Sequence, residues 1–345
     1  MCFFISLLGS SAIAREPAVL QLSIQQIGGT ASLRGMAVAD AETAWASGTE
    51  GTVLRTADAG TTWQKIDIPR TSELDFRDIQ VLRGGEVLLM SAGPGAKSRV
   101  YRSKDNGKTW DLRLTCTDEK GFFNAFAFWS QAHGILVGDP VDGRLDIRLT
   151  DDGGLTWQSV DAKNRPELKD GEYGFAASGT NLETNGDSNA WIATGGSVSR
   201  IFRSTNRGQT WEAAASEVTS GEPSAGVFSI AFQDATHGVS IGGDYKKPEE
   251  DVGNAAFTTD GGKSWTTSKS RMPHKACVKW ISENACLAAG RTGIALSLDR
   301  GLTWKPVSDE SFYTLGVHRD SVSGRAIIFG AGADGRVAKM ESPVK

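Results

Sequence analysis

Two aspartates and a tyrosine are the residues of this chain whose type and setting come nearest to chemistry. Asp139 lies in Val137-Gly138-Asp139-Pro140, and Asp244 lies in Gly242-Gly243-Asp244-Tyr245, with Pro248 following. Carboxylates brought to one place can contact a polar ligand or divide the work of general acid and base, and Tyr245 offers a nucleophile beside them. The competing reading is local. Aspartate before proline or after Gly-Gly commonly accepts backbone hydrogen bonds within its own loop. No catalytic residue is assigned on this basis; were the chain an enzyme, Asp139, Asp244 and Tyr245 are the residues to test.

Other reactive constellations are thin. There is no G-x-S-x-G, no phosphate-binding loop and no Cys-x-x-Cys. Gly330-Ala331-Gly332-Ala333-Asp334-Gly335 has the three glycines of a dinucleotide loop, but it joins two expected strands rather than a strand and a helix. His133 and His237 each precede a glycine in an expected turn, with no second ligand at metal-binding spacing. Asp142 and Asp146 are a weak calcium signal. No metal and no cofactor is expected.

Whatever chemistry exists must be positioned by a repeated element. The pattern [ST]-x-[DN]-x-G-x-[ST]-W occurs six times, as Thr56–Trp63, Ser103–Trp110, Thr150–Trp157, Ser204–Trp211, Thr258–Trp265 and Ser297–Trp304. Average residue usage makes one chance occurrence a roughly one-in-a-thousand event, so six are a repeat. Asp58, Asp105, Asp152, Asn206, Asp260 and Asp299 are short acceptors able to bond backbone N–H groups just downstream. The glycines supply positive φ. Trp63, Trp110, Trp157, Trp211, Trp265 and Trp304 are large enough to bury against a neighbouring unit. These boxes are turn staples, and their acidic groups are not read as catalytic.

The third box positions fall at 58, 105, 152, 206, 260 and 299, spacings that suit a four-stranded blade. Three apolar runs precede each box. After the last box, 312–317, 325–329 and 336–340 repeat the three-strand order without a box. Leu20, Leu22 and Ile24 alternate with Gln21, Ser23 and Gln25 at the period of a half-buried strand. The economical solution is an all-β, seven-bladed β-propeller over residues 15–345, its N-terminal strand completing the last blade and removing a free sheet edge. A six-bladed ring with loose termini is the alternative.

The boxes resemble the Asp-box, or bacterial neuraminidase repeat, of a large group of propellers. The run from Gly48 to Thr56 into the first box is most similar to exported propellers of the photosystem II assembly and stability-factor type and their non-photosynthetic bacterial relatives. The strings around Asp139 and Asp244, and Phe175-Ala176-Ala177-Ser178-Gly179-Thr180, resemble those relatives too. The resemblance implies an assembly or binding role for an envelope or membrane-associated partner and carries over no catalytic residue. The box also occurs in sialidases and xyloglucanases, which keeps a glycoside hydrolase or carbohydrate-binding reading open. Against the first, no Arg-Ile-Pro signature precedes the first box and no arginine triad can be assigned. Against the second, only one propeller is present.

Boxes are third-to-fourth-strand turns, so they mark one face; the variable loops lie on the other. The loops expected there are 92–99, 138–146, 195–200 and 242–254, with long linkers 158–174 and 212–226. They bring Lys97, Arg99, Asp139, Asp142, Arg144, Asp146, Arg200, Asp244, Tyr245, Lys246 and Asn254 toward one surface, where a protein partner or glycan is expected. Arg55, Arg102 and Arg203, each one residue before a box, suggest structural partners between blades.

Composition agrees with many tight turns and packed strands: 41 Gly, 10 Trp and only 10 Pro in 345 residues. A net charge of −4 with no basic run argues against nucleic acid. Residues 2–14, ending in Ala12-Ile13-Ala14, read as a signal peptide cut before Arg15, too short to span a bilayer. The usual basic start is missing, so a start upstream or a plain buried strand stays open. An exported, periplasmic or secreted monomer that is not an integral membrane protein is the expectation. Cys2 leaves with the signal; Cys277 and Cys286 flank an expected hairpin, where a disulfide and ordinary buried thiols are both open.

Overall fold

The computed structural model describes residues 20–27, 29–320 and 323–342. The signal-peptide segment and Cys2 lie outside these residues. Seven antiparallel sheets follow one another along the chain, six of them four-stranded and the fifth extended to six strands by the short pair Glu172–Tyr173 and Gly195–Gly196 at its inner edge. Their inner strands are Leu33–Val38, Phe76–Leu82, Phe123–Phe128, Leu182–Asn185, Ala225–Phe232, Cys277–Trp280 and Thr314–Arg319. Each inner strand touches those of the blades before and after it, and the first touches the seventh. The ring is therefore closed, a seven-bladed β-propeller. No helix among the described residues is long and apolar enough to cross a membrane.

Closure uses the N-terminal strand. Leu22–Gln26 pairs antiparallel with Arg336–Met340 as the outer strand of blade 7, with Leu22 opposite Met340 and Gln26 opposite Arg336. From there the Gln25 Nε2 donates to the Gly60 carbonyl in the box of blade 1, at 2.7 Å. One strand thus seals two neighbouring blades.

Blades are buried on both faces, which is why second and third strands read as nearly unbroken small and apolar runs such as Cys286–Gly290 and Gly293–Ser297. Burial divides into seven clusters, one at each junction between consecutive blades. Trp45 with Phe76 and Ile79 fills the first junction, and Trp191 stacks on Phe232, ring centroids 3.5 Å apart, at the fourth. Fully burying one such side chain is worth roughly 1.5–3 kcal/mol. Cys277 belongs to the junction with blade 7 and Cys286 to the junction with blade 5. They project from opposite faces of one sheet, so both are free thiols, as is Cys116.

Each box is a closed hydrogen-bonded unit. In the first, Asp58 Oδ1 accepts from the Thr56 hydroxyl (2.8 Å) and the Thr62 N–H (2.9 Å), and Oδ2 accepts from the Thr62 hydroxyl (2.6 Å). These hydrogen bonds, the Thr62 hydroxyl first, hold the Asp58 carboxyl at about 2. The staple thus relies on hydroxyls as much as on backbone, and its N–H comes from four residues downstream, further than the turn chemistry of aspartate alone suggests. Asn206 keeps the geometry with one bond reversed, its Nδ2 donating to the Thr210 hydroxyl at 2.8 Å. Every box also donates one backbone N–H to the first-to-second-strand turn of its own blade, as Ala59 does to Glu42 and Arg300 to Asn284. The arginines before the boxes find partners inside their own blades instead of across junctions: Arg102 pairs with Glu86, Arg203 with Glu212, and Arg55 lies over the Trp45 ring.

The box glycines carry a second constraint. All six have φ between +76° and +86°. All six also face the second strand of the preceding blade: Gly60 meets Phe329, Gly107 Trp45, Gly154 Leu88, Gly208 Ile135, Gly262 Trp191 and Gly301 Val239. A Cβ on Gly107 would lie 2.5 Å from the Trp45 ring, whereas one on Gly84, at nearly the same φ of +81°, would meet nothing within 4 Å. Gly107→Ala is expected to cost about 3 kcal/mol or more in urea unfolding, against about 1 kcal/mol for Gly84→Ala. Equal losses would show that backbone conformation alone, without the close approach, sets the requirement.

Candidate functional site

The face opposite the boxes is built by a defect repeated in four inner strands. The ladder to the second strand skips a residue between Leu33 and Gly35, Phe76 and Asp78, Phe123 and Ala125, and Val227 and Ser229. The skipped residues are Arg34, Arg77, Asn124 and Phe228. A bulge re-aims the side chain it releases, and here Arg34, Arg77 and Phe228 line one pocket at the mouth of the ring. Tyr173, Phe175, Tyr245, His274, Arg291 and Tyr313 complete most of its wall, around a volume of about 470 Å³. That size suits a small ligand or a protruding piece of a larger one.

The floor comes from the linker between blades 3 and 4. Residues 174–180 touch blades on both sides of the axis. Arg77 Nη1 donates to the Ala176 carbonyl (2.7 Å), the Ser178 hydroxyl to the Ala276 carbonyl (2.9 Å), and the Thr180 hydroxyl to Ser229 Oγ (2.7 Å). Phe175 stacks on Phe228 with centroids 4.1 Å apart. Gly174 lies against Asn124, and Gly179 against Asp78. A seven-residue stretch that meets blades 2, 3, 5 and 6 crosses the mouth as a strap.

Electrostatics at the mouth are one-sided. Arg34, Arg77 and Arg291 lie near enough that burial, then the like charge of Arg77, lower the Arg34 pKa from its ordinary value, though it stays charged. Arg34 also sits over the Tyr313 ring, 4.9 Å from its centroid. Arg77 has Asp75 as counter-charge at 2.7 Å. Among the described residues, no Asp, Glu, Asn or Gln lines the pocket. His274 is 3 % exposed, and neither of its ring nitrogens has a hydrogen-bond partner. Burial, then the Lys275 ammonium, hold it at about 4, so the ring is neutral at physiological pH. Below the strap, Asp78 and Glu183 are both raised by burial, while Glu183 and Asp78 raise the Lys279 ammonium against its own burial. Among the described residues, no group of three or more His, Cys, Asp and Glu could hold a metal ion.

Of the residues singled out from the sequence, Tyr245 lines this pocket, 43 % exposed and edge-on to Phe228. The others are placed elsewhere. Asp139 accepts from Asn124 Nδ2 (2.9 Å) and the Gly174 N–H, and burial pushes its carboxyl up to about 6. Asp244 is buried; desolvation opposes its ionisation, but the Ser224 hydroxyl, the Lys246 N–H and the Lys247 and Lys246 charges outweigh it and lower its pKa. Each carboxylate is thus engaged within its own surroundings, and neither lines the mouth. Arg200 grips the buried Glu172 carboxylate with its Nε at 3.0 Å. Arg144 pairs with Glu167, and Asp146 with Arg148. Asn254 Nδ2 donates to the Glu250 and Met272 carbonyls. Lys97 and Arg99 flank a separate groove, Lys246 is exposed, and Asp142 caps a tight hairpin. The expected loop 138–146 is mostly strand, because Gly134–Val141 and Arg144–Thr150 pair to within two residues of the turn.

Sequence reasoning did not place Arg34, Arg77, Phe228, His274, Arg291 and Tyr313 in a site, and it marked Phe175 only through the resemblance of the 175–180 string. A signal existed for two of them. Leu33-Arg34 and Phe76-Arg77 occupy the same place in consecutive repeats, at the start of the inner strand.

Fold and mouth together define a propeller whose loop face carries a floored, cationic and aromatic pocket. No protein-family model matches the chain, and no curated protein sequence matches it. Solved structures are similar in fold. YCF48 bound to D1 peptide superposes with a TM-score of 0.65 at 17 % identity, covering 93 % of this chain and 97 % of that one. YCF48 from Cyanidioschyzon merolae gives 0.64 at 20 % identity, covering 92 % and 98 %. The GH74 xyloglucanase from Xanthomonas campestris gives 0.55 at 14 % identity, covering 91 % of this chain and 60 % of the enzyme.

Burial of Asp139 has a pH signature. Burial pushes its carboxyl up to about 6 in the folded chain from the ordinary 3.8, so the folded state holds this proton more tightly, and the stability it contributes falls as pH rises through that interval. Asp139→Asn removes the dependence. Its stability relative to wild type should therefore climb from about pH 4 to about pH 6 and then level off. The opposite slope from His274 is common to both chains and cancels. Urea unfolding at stepped pH reads this directly; a difference that is flat or falling across the interval contradicts a buried carboxyl.

Proposed function

We propose that this chain is a non-catalytic exported propeller that binds a protein partner of the envelope or membrane at its loop face and serves as an assembly, stability or scaffold factor. The observation that carries the reading is the mouth pocket, where three arginines and five aromatic rings converge with no carboxylate in the lining. Rings and guanidiniums are the side chains on which protein-binding energy concentrates. Acid–base catalysis there would have to dispense with the carboxylates that glycoside hydrolysis ordinarily uses. The likeness to a propeller solved with a bound peptide supports the reading, while the xyloglucanase likeness keeps the hydrolase as the alternative. Export rests on residues 2–14.

The test pairs two measurements. Purified protein should show no turnover on a broad glycoside panel. Cross-linked capture from envelope extract should recover the same partner with wild type and with the box-face variant Lys108→Glu, and about tenfold less with Tyr245→Ala. Turnover that Asp139→Asn or Asp244→Asn abolishes would establish the hydrolase instead. Capture that responds to Lys108→Glu and ignores Tyr245→Ala would move binding to the other face.

A further inference from the structure

We propose that the mouth pocket receives the carboxylate of a polypeptide, presented beside an apolar side chain and entering end-on. The inference rests on the binding reading above and names the chemistry of its ligand. Three features converge on it.

Charge comes first. Arg34, Arg77 and Arg291 share a small volume; Asp75 is held by Arg77, and Asp139 and Asp244, which act on Tyr173 and His274 from behind the wall, do not line it. Like charges gathered around one concavity, Arg34 and Arg77 half-buried and Arg291 exposed, are costly unless something answers them, and guanidiniums match a carboxylate in shape as well as sign. Arg34 keeps an uncommitted buried Nε. His274, buried in the wall with both ring nitrogens free of partners, adds a neutral donor and acceptor.

Second is what surrounds the charge. Phe175, Phe228, Tyr173, Tyr245 and Tyr313 supply flat apolar surface. A sugar acid would bring several hydroxyl donors for each carboxylate, and among the described residues the lining has only tyrosine hydroxyls and His274 as side-chain acceptors, with no Asp, Glu, Asn or Gln. An apolar side chain asks for no such acceptors. Third is the floor. The 174–180 strap spans blades 2, 3, 5 and 6 beneath the pocket, so a segment cannot thread the ring and must project a chain end or a side chain into it.

Short peptides test this by calorimetry with the full chain. The probes are acetyl-Gly-Leu-Phe with a free C-terminal carboxylate, the same peptide as its amide, acetyl-Gly-Glu-Phe-amide, and N-acetylneuraminic acid. The free acid or the glutamate peptide should bind at least about tenfold tighter than the uncharged amide. Whichever of the two binds tighter tells whether a chain end or an acidic side chain is the source, and either supports the proposal. That advantage should shrink as salt rises from about 50 to about 500 mM. Arg291→Gln, a change at an exposed residue, should remove about tenfold of the acid's affinity and leave the amide's unchanged, with Arg34→Gln doing the same if it folds. The proposal is overturned if acid and amide bind alike, if no peptide binds, if the sugar acid binds tighter than the peptides, or if Arg291→Gln changes nothing. Failure here stays separate from failure of the binding reading: a partner captured through Tyr245 yet indifferent to Arg291→Gln would leave the partner standing and remove the carboxylate.

Discussion

One steric contact, repeated around the ring, holds the architecture: a left-handed glycine in each box pressed against the second strand of the blade before it. Positive φ turns the chain from the third strand into the fourth, and the missing Cβ lets the preceding blade come close. The box hydrogen bonds hold that glycine in place, and its tryptophan joins the buried cluster of the same junction. Blade 7 has no box, so the junction between blades 6 and 7 lacks this contact. It has the most populous of the seven buried clusters, including Phe312, Leu315 and Met340. Where the steric staple is missing, apolar burial and the paired N-terminal strand take its place.

That division explains why the fold was legible in the sequence and the site was not. A box is local: eight consecutive residues contain the acceptor, the glycine and the tryptophan, so spacing alone reports it. The closing strand could be found for a similar reason, since the alternation around Leu22 and Ile24 matches a sheet lacking its fourth strand. The mouth is assembled from single residues of blades 1, 2, 5 and 6 and of the linkers between blades. Arg34 and Phe228 reach it only because the ladder slips by one residue, and strand periodicity says nothing of a slip. Asp139 and Asp244 looked chemical because glycine and proline framed them. Those same neighbours build the loops in which each carboxylate finds its donors.

The two faces also divide the labour of charge. On the box face the five box aspartates are each matched at once by hydroxyls and N–H groups a few residues away, so those turns close on themselves. Candidate residues such as Arg200, Arg144 and Asp146 follow that logic even on the loop face, each closing an ion pair. The mouth departs from it. Cations there outnumber their partners, a histidine keeps both nitrogens uncommitted, and a tyrosine stands exposed. Buried polar atoms without partners also occur elsewhere in the chain, as at Asn181 and Trp304, but at the mouth they gather with cations and aromatic rings at a concave opening, where a ligand can reach them.

The strap gives that cluster its depth. Without residues 174–180 the inner strands would enclose an open axial passage, with Asp78, Glu183 and Lys279 facing one another inside it. With the strap in place, those groups lie below it, Glu183 and Lys279 still partly exposed, and the arginines are displayed above. The strap itself is held by the residues it helps to display. Arg77 donates to Ala176 and also lines the pocket, and Phe228 both stacks on Phe175 and lines it. Floor and wall are therefore one hydrogen-bonded and stacked unit. A ligand meeting such a unit finds its contacts already placed, so little of the binding energy is lost to ordering the site.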